Sequence, residues 1–267
     1  MMLVEKSFDT GEVVLNYAEG LDNGSPLLLI HGFTRWWKYF QPIIPELSKN
    51  FHIFALDLRG HGKSGRAKGH YTLRDYSRDV TAVLENLIQQ PTILFGHSLG
   101  GWVSLMVASK KPKAVKALII GDSPLNLKDF SERLKGYFFD WLTIRKEYSM
   151  KTFEELLTEL DAESAERFSL VDPDVFRLWI EGCEDASAFE KLFEGYDISE
   201  LLSSIDCPVL LLQGKGVLPN KDVEYAKSVL PDVIHVYFKD YGHYLGLDTG
   251  DIERLLESLT TFLEPLR

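Results

Sequence analysis

Along this chain, short uninterrupted apolar runs alternate with longer stretches whose apolar residues recur every third or fourth position. Pro26-Leu27-Leu28-Leu29-Ile30, Phe51 to Leu56, Thr92-Ile93-Leu94-Phe95, Ala117-Leu118-Ile119-Ile120 and Pro208-Val209-Leu210-Leu211-Leu212 are of the first kind. A run apolar at every position marks a strand covered on both faces, because successive side chains point to opposite sides. Residues 2–8 and 12–18 read as two further strands joined at Asp9-Thr10-Gly11-Glu12, a hairpin at the sheet edge. A last strand spans 233–238. The stretch 73–89 is of the second kind, with Thr72 as its cap and Tyr76, Val80, Val83, Leu84 and Leu87 at helical spacing. Helical patterns also cover 102–110, 220–229 and about 250–263. Strands alternating with helices predict an α/β fold, with a mostly parallel, twisted sheet and helices on both faces.

The alternation breaks at Gly121-Asp122-Ser123-Pro124. From 125 to 205 no strand run occurs, and amphipathic helices are expected at 128–147, 152–160 and 173–181. This stretch reads as a helical lid inserted over the sheet. Residues 1–124 and 206–267 then form the core domain, and 267 residues suffice for one large domain with such an insertion.

Composition narrows the function. Hydrophobic residues make up 45% and charged residues 26%, as in ordinary soluble domains. A formal charge of −11 argues against binding a phosphate backbone, which needs clustered Lys and Arg. Cys183 and Cys207 make no disulfide framework and fit a reducing cytoplasm. The first residues carry charge early and have no secretory apolar core, and no stretch is long and apolar enough to span a bilayer. No His, Cys and Asp cluster has metal-ligand spacing. The expectation is a cytoplasmic protein acting on a small molecule, with no metal, cofactor, nucleic acid or membrane.

The candidate chemistry centres on Gly96-His97-Ser98-Leu99-Gly100-Gly101, between a strand run and a helical pattern. Strand, sharp turn and helix is the context in which G-x-S-x-G marks a nucleophile elbow. The turn strains the serine and leaves no space for a Cβ two positions to either side. Ser98 is the candidate nucleophile, and it needs a base and a group to orient that base. Among seven histidines, His52 and His235 fall inside strand patterns. His61 and His70 belong to a glycine-rich loop and its exit, and His31 and His97 stand at strand ends. His243, on the Gly-flanked loop Asp240-Tyr241-Gly242-His243-Tyr244, is the candidate base. The loop Asp57-Leu58-Arg59-Gly60-His61-Gly62-Lys63-Ser64-Gly65 lacks P-loop spacing and reads as a structural buttress.

With His31-Gly32-Phe33, the 57–64 loop, the 96–101 turn and Gly242-His243, the chain resembles the α/β-hydrolase fold family outside 125–205. The resemblance implies oxyanion-hole amides at Phe33 and Leu99, a placement favoured by the weight such donors carry. It also implies an acid, usually three residues after the glycine following the seventh strand. That position is Val217 here. Asp122 fits a minority arrangement with the acid after the sixth strand, Asp222 lies five residues past Val217, and another acid stays open. A serine at the elbow argues against the epoxide and haloalkane chemistry of relatives that carry Asp there. Cleavage of a carboxylic ester through an acyl-enzyme is the expected reaction. C–C hydrolysis of a β-diketone-type compound and a non-catalytic ligand receptor are the alternatives. Trp36, Trp37, Phe138 and Trp141 are candidates to line an apolar substrate pocket.

Overall fold

The computed structural model describes residues 3–125, 154–155, 158, 162–176, 178, 192, 197–215 and 217–267. Eight strands form one sheet: β1 Val4–Asp9, β2 Val14–Glu19, β3 Ser25–Ile30, β4 Phe51–Leu56, β5 Thr92–His97, β6 Val115–Gly121, β7 Val209–Gln213 and β8 Val233–Tyr237. Their order is β1-β2-β4-β3-β5-β6-β7-β8. β1 pairs antiparallel with β2, and β2 with β4; every other pair is parallel. The predicted hairpin is therefore the sheet edge. The continuous apolar runs are the parallel strands, and β3, β4, β5, β6 and β7 are buried almost throughout.

Helices cover both faces, as the alternation predicts. The helices are α1 Ile44–Leu47, α2 Leu73–Ala82, α3 Leu99–Lys110, α4 Ala162–Ser169, α5 Ile198–Leu202, α6 Asn220–Val229 and α7 Glu253–Leu263. One core layer joins Leu28, Ile30, Leu94 and Leu118 of the sheet to α2, α3 and α6. The other joins Leu27, Leu29, Ile93 and Ile119 to α1 and α7. Thr72 caps α2 through a reciprocal bond with Asp75, whose carboxylate accepts the Thr72 amide at 3.0 Å. The pattern beyond Ala82 continues as a wider turn over Val83–Ile88 and ends at Gln89 with φ 58°.

The expected helices 128–147 and 152–160 lie wholly or largely outside the described residues, so the 125–205 insertion is not delimited. Among its described residues, α4 and α5 are helical, and Val171 and Val175 are buried in the first core layer. Asp172 fixes this part to the glycine-rich loop. Its amide donates to the Gly60 carbonyl at 2.7 Å, and its carboxylate accepts Tyr71 Oη at 2.8 Å. No described helix is long and apolar enough to cross a membrane.

The sheet order also locates a crevice. From β3 the chain steps to β4 on one side, then returns to β5 on the other. Where connections leave adjacent parallel strands in opposite directions, their carboxyl ends part and leave room for a ligand. His31-Gly32-Phe33 leaves one of those ends and Ser98 the other.

Candidate active site

Ser98 is the residue between β5 and α3, with φ 53° and ψ −116°. A side chain rarely adopts such angles, and the conformation costs roughly 1–3 kcal/mol. The two glycines that flank it at two residues' distance make the turn possible. A Cβ on Gly96 would collide with the Gly100 carbonyl, and one on Gly100 with the Ile30 carbonyl. Helix α3 thus starts pressed against the end of β3.

Helix α3 begins at Leu99 rather than at Trp102, so the Leu99 amide is among the first N–H groups, which have no acceptor inside a helix. On the other side of the crevice, a Cβ on Gly32 would lie 2.9 Å from Ser98 Cβ. The Gly32-Phe33 backbone therefore passes directly beside the serine. The Phe33 ring is buried in the first core layer. Thr34, at φ 60°, completes the turn away from β3.

His31 ties this turn to β4. Its Nδ1–H donates to the Gly32 carbonyl at 2.8 Å, and its Nε2 accepts the Leu58 amide at 3.0 Å. Both bonds require the neutral ring, and burial holds its pKa well below the usual histidine value. His97 does the same for the opposite loop. Its Nε2–H donates to the His243 carbonyl at 2.8 Å, its buried Nδ1 has no partner among the described residues, and burial keeps the ring neutral.

His243 sits on the loop after β8, its ring 4.7 Å from that of His97. Its Nδ1–H donates to Asp122 Oδ2 at 2.8 Å. Asp122 is fully buried and has φ 46°. β5 and β6 are paired His97 to Gly121, so Ser98 and Asp122 are the next residues on adjacent strands, and both are left-handed. The Ser98 amide donates to the Gly121 carbonyl at 2.9 Å, which links the two turns. Asp122 Oδ1 accepts the Gly214 amide at 2.9 Å and the Leu218 amide at 3.3 Å.

Asp222 is engaged elsewhere. It lies in the first turn of α6, and its Oδ2 accepts the Leu125 amide at 2.8 Å. Val217 is buried.

Loop 57–65 is held by Asp57, whose carboxylate accepts Asn16 Nδ2 at 2.8 Å and the amides of Trp37 at 2.7 Å and Lys63 at 3.0 Å. The Trp37 bond also fixes the segment that follows Phe33. Trp36 borders a cavity beside that segment. Trp37 does not line this cavity, because its Nε1 donates to Glu5 of β1 at 2.9 Å and its ring packs on the second core layer. Phe138 and Trp141 lie outside the described residues. The pattern-based reading passed over Arg35 and Tyr244, which lie against each other beside the cavity, the guanidinium carbon 4.4 Å from the ring centre. A basic residue within an aromatic run was the available signal.

A family model described as the alpha/beta hydrolase fold matches residues 25–249. The chain belongs to the α/β hydrolase fold family. It is 25% identical over 98% of its length, and 95% of the relative's, to 2-(acetamidomethylene)succinate hydrolase of Mesorhizobium japonicum. It is also 25% identical, over 90% of its length and 94% of the relative's, to pimeloyl-[acyl-carrier protein] methyl ester esterase of Aliivibrio fischeri. Among solved structures, a putative lipase of Acinetobacter baumannii superposes with a TM-score of 0.77 at 22% identity, covering 98% of this chain and 91% of that one. These likenesses make this α/β hydrolase fold protein a hydrolase, with the bond it cleaves left to its own site. Among the described residues no group of three or more His, Cys, Asp or Glu is placed to hold a metal ion.

Proposed function

We propose that this chain is a serine hydrolase that cleaves a carboxylic ester through an acyl-enzyme on Ser98. The observation that carries the reading is the 2.8 Å bond from His243 Nδ1–H to Asp122, beside a serine in elbow geometry. With Nδ1 protonated and held, the neutral ring presents Nε2 as the base. Nε2 takes the Ser98 hydroxyl proton as Oγ attacks the substrate carbonyl, and Asp122 stabilises the imidazolium that forms. The amides of Phe33 and Leu99 donate to the oxyanion, a contribution of roughly 3–4 kcal/mol per donor in comparable sites. His243 then protonates the departing alcohol. A water molecule, deprotonated by the same nitrogen, releases the acid and restores Ser98. Trp36 borders the substrate, which is a small molecule, and the scarcity of cysteine suits action in the cytoplasm.

Fluorophosphonate labelling together with p-nitrophenyl butyrate hydrolysis tests the reading. Labelling at Ser98, with turnover abolished in Ser98→Ala and strongly reduced in Asp122→Asn, is expected. No labelling and no turnover would favour a ligand receptor instead. A second reading, hydrolysis of a bond other than an ester, is favoured by two relatives that match nearly end to end and act on (acetamidomethylene)succinate and its N-methylformamido counterpart. The same serine chemistry serves it. Faster turnover of an acylated enamine or a β-diketone than of aryl esters, by the same Ser98-dependent route, would select it.

A further inference from the structure

Arg35 stands two residues past Phe33, its amide closing a turn on the Gly32 carbonyl at 3.3 Å. Its guanidinium carbon lies 4.4 Å from the centre of the Tyr244 ring and 5.5 Å from that of Tyr39. The Tyr244 ring is 5.3 Å from the His243 ring, and the Tyr39 ring is 5.0 Å from that of His97. A single aromatic ring therefore separates the guanidinium from the His243 imidazole. The positive charge is felt at the site, since Arg35 helps to keep both His97 and His31 uncharged.

The side chain is also unsatisfied. Arg35 Nε is buried without a hydrogen-bond partner, and no carboxylate pairs with this guanidinium among the described residues. In a chain with 40 acidic residues this is unusual. Arg59, the fully buried arginine, is bonded through Nε and Nη2 to both oxygens of Asp79 at 2.6 Å. Leaving a buried donor of a charged group unbonded is costly, and a bound anion would remove that cost.

The space for such an anion is present. A cavity of about 650 Å³ lies against Arg35, Trp36, Tyr39 and Tyr244, a volume typical of small-molecule sites. Its other charged lining residues, Lys38, Glu166 and Asp248, are exposed, whereas Arg35 is half-buried and Tyr39 buried. Lys38 is turned to the Trp36 ring, 5.2 Å from its centre. The recessed cation is therefore Arg35, set among the rings of Trp36, Tyr39 and Tyr244.

We propose that this cavity is a carboxylate subsite: Arg35 binds the free carboxylate of an acyl substrate whose scissile carbonyl lies at Ser98. The preferred substrate class is then half-esters or half-amides of short dicarboxylic acids, which water converts to the diacid and an alcohol or amine. The guanidinium fork suits a carboxylate because it donates two parallel N–H bonds. The assignment rests on the hydrolase reading above, and it is tested so that each can fail alone.

The kinetic test compares p-nitrophenyl hemisuccinate with p-nitrophenyl butyrate, which differ by the terminal carboxylate. The wild type should favour the hemisuccinate by about tenfold or more in kcat/KM, the contribution expected of one charge-assisted bond pair. In Arg35→Gln the ratio should collapse toward one, chiefly through KM, and Arg35→Lys should restore part of it. A role confined to holding the loops would lower both rates together and leave the ratio unchanged, which would overturn the proposal. Calorimetric titration of succinate into Ser98→Ala supplies a readout without turnover; binding should be lost in Ser98→Ala/Arg35→Gln. Turnover of butyrate with neither selectivity nor succinate binding would sink the subsite and leave the hydrolase. Arg35-dependent succinate binding without Ser98 labelling would do the reverse. Should Arg35→Gln fail to fold, wild-type selectivity and Arg35→Lys decide.

Discussion

Asp122 Oδ1 accepts the Gly214 amide at 2.9 Å, tying the carboxylate after β6 to the loop after β7. Leu218, just past Val217, donates to the same oxygen at 3.3 Å. The loop after β7 thus supplies N–H groups to a carboxylate that follows the neighbouring strand. Oδ2 is left for His243.

Exchanging Asp122 for Asn should therefore remove catalysis with little change in fold. The amide keeps the shape but does not fix the Nδ1–H tautomer, and a loss of about 10⁴ in kcat is expected from comparable triads. Asp222→Ala should behave in the opposite way. It strands the Leu125 amide and costs roughly 1–3 kcal/mol of stability, with kcat changed only a few-fold. Rates and urea midpoints for the two variants separate the roles, and similar kcat losses in both would refute them.

Ser98 carries its backbone strain for the sake of position. Replacing it with Gly removes both the hydroxyl and the penalty of φ 53° with ψ −116°. The relief is roughly 1–3 kcal/mol, less about 0.5–1 kcal/mol for the freer unfolded chain. Ser98→Gly should be inactive and melt up to a few degrees above the wild type in a calorimetric scan. A lower melting temperature would show that the serine is not strained.

Much of this was legible in sequence because its causes are local. Apolar runs such as Leu27 to Ile30 report burial on both faces, and Gly96 and Gly100 report a turn that admits no Cβ. The carboxylate partner of His243 was less legible, because it depends on three elements meeting. Asp122 and Asp222 both stand near strand ends, and only the packing of β6 against β7 and the 243 loop separates them. Trp36 and Trp37 are adjacent aromatics with the same local signal. One borders the cavity and the other is drawn to Glu5, a residue 32 positions away that no local pattern connects to it. Arg35 escaped notice for the same reason, since Tyr244, the ring it lies nearest, comes from a loop far away in the chain.

The Arg59–Asp79 pair should hold loop 57–65 to α2. Both side chains are buried, with contacts of 2.6 Å on each oxygen, and Glu12 adds a contact at 3.2 Å. Arg59→Met leaves the buried Asp79 carboxylate without its partner and should cost about 3–5 kcal/mol, whereas Asp79→Leu leaves Arg59 its contact with Glu12 and should cost less. The double variant removes both charges and should regain most of that loss. Additive losses in urea denaturation would show that the pair stabilises through its bonds rather than by mutual neutralisation.

Acid should destabilise the fold through its buried histidines. His31, His61 and His97 are all buried, and burial holds each ring's pKa below the usual value, to about 4 for His61. His61 Nδ1–H donates to the Arg59 carbonyl at 3.0 Å, while its Nε2 has no partner among the described residues. In the unfolded chain such rings take up a proton near pH 6.5, so there the unfolded state binds more protons than the native one. Stability then rises with pH across that window, and each fully neutral ring loses about 1.4 kcal/mol per unit as pH falls below 6.5. Asp57, pushed up by its burial, acts in the opposite sense, from its raised pKa down to the ordinary carboxylate value. Urea midpoints should therefore fall steadily from pH 7 to pH 4.5, and His61→Gln should flatten the slope by about one ring's share. A midpoint independent of pH over this range would mean that the three rings are protonated in the native protein.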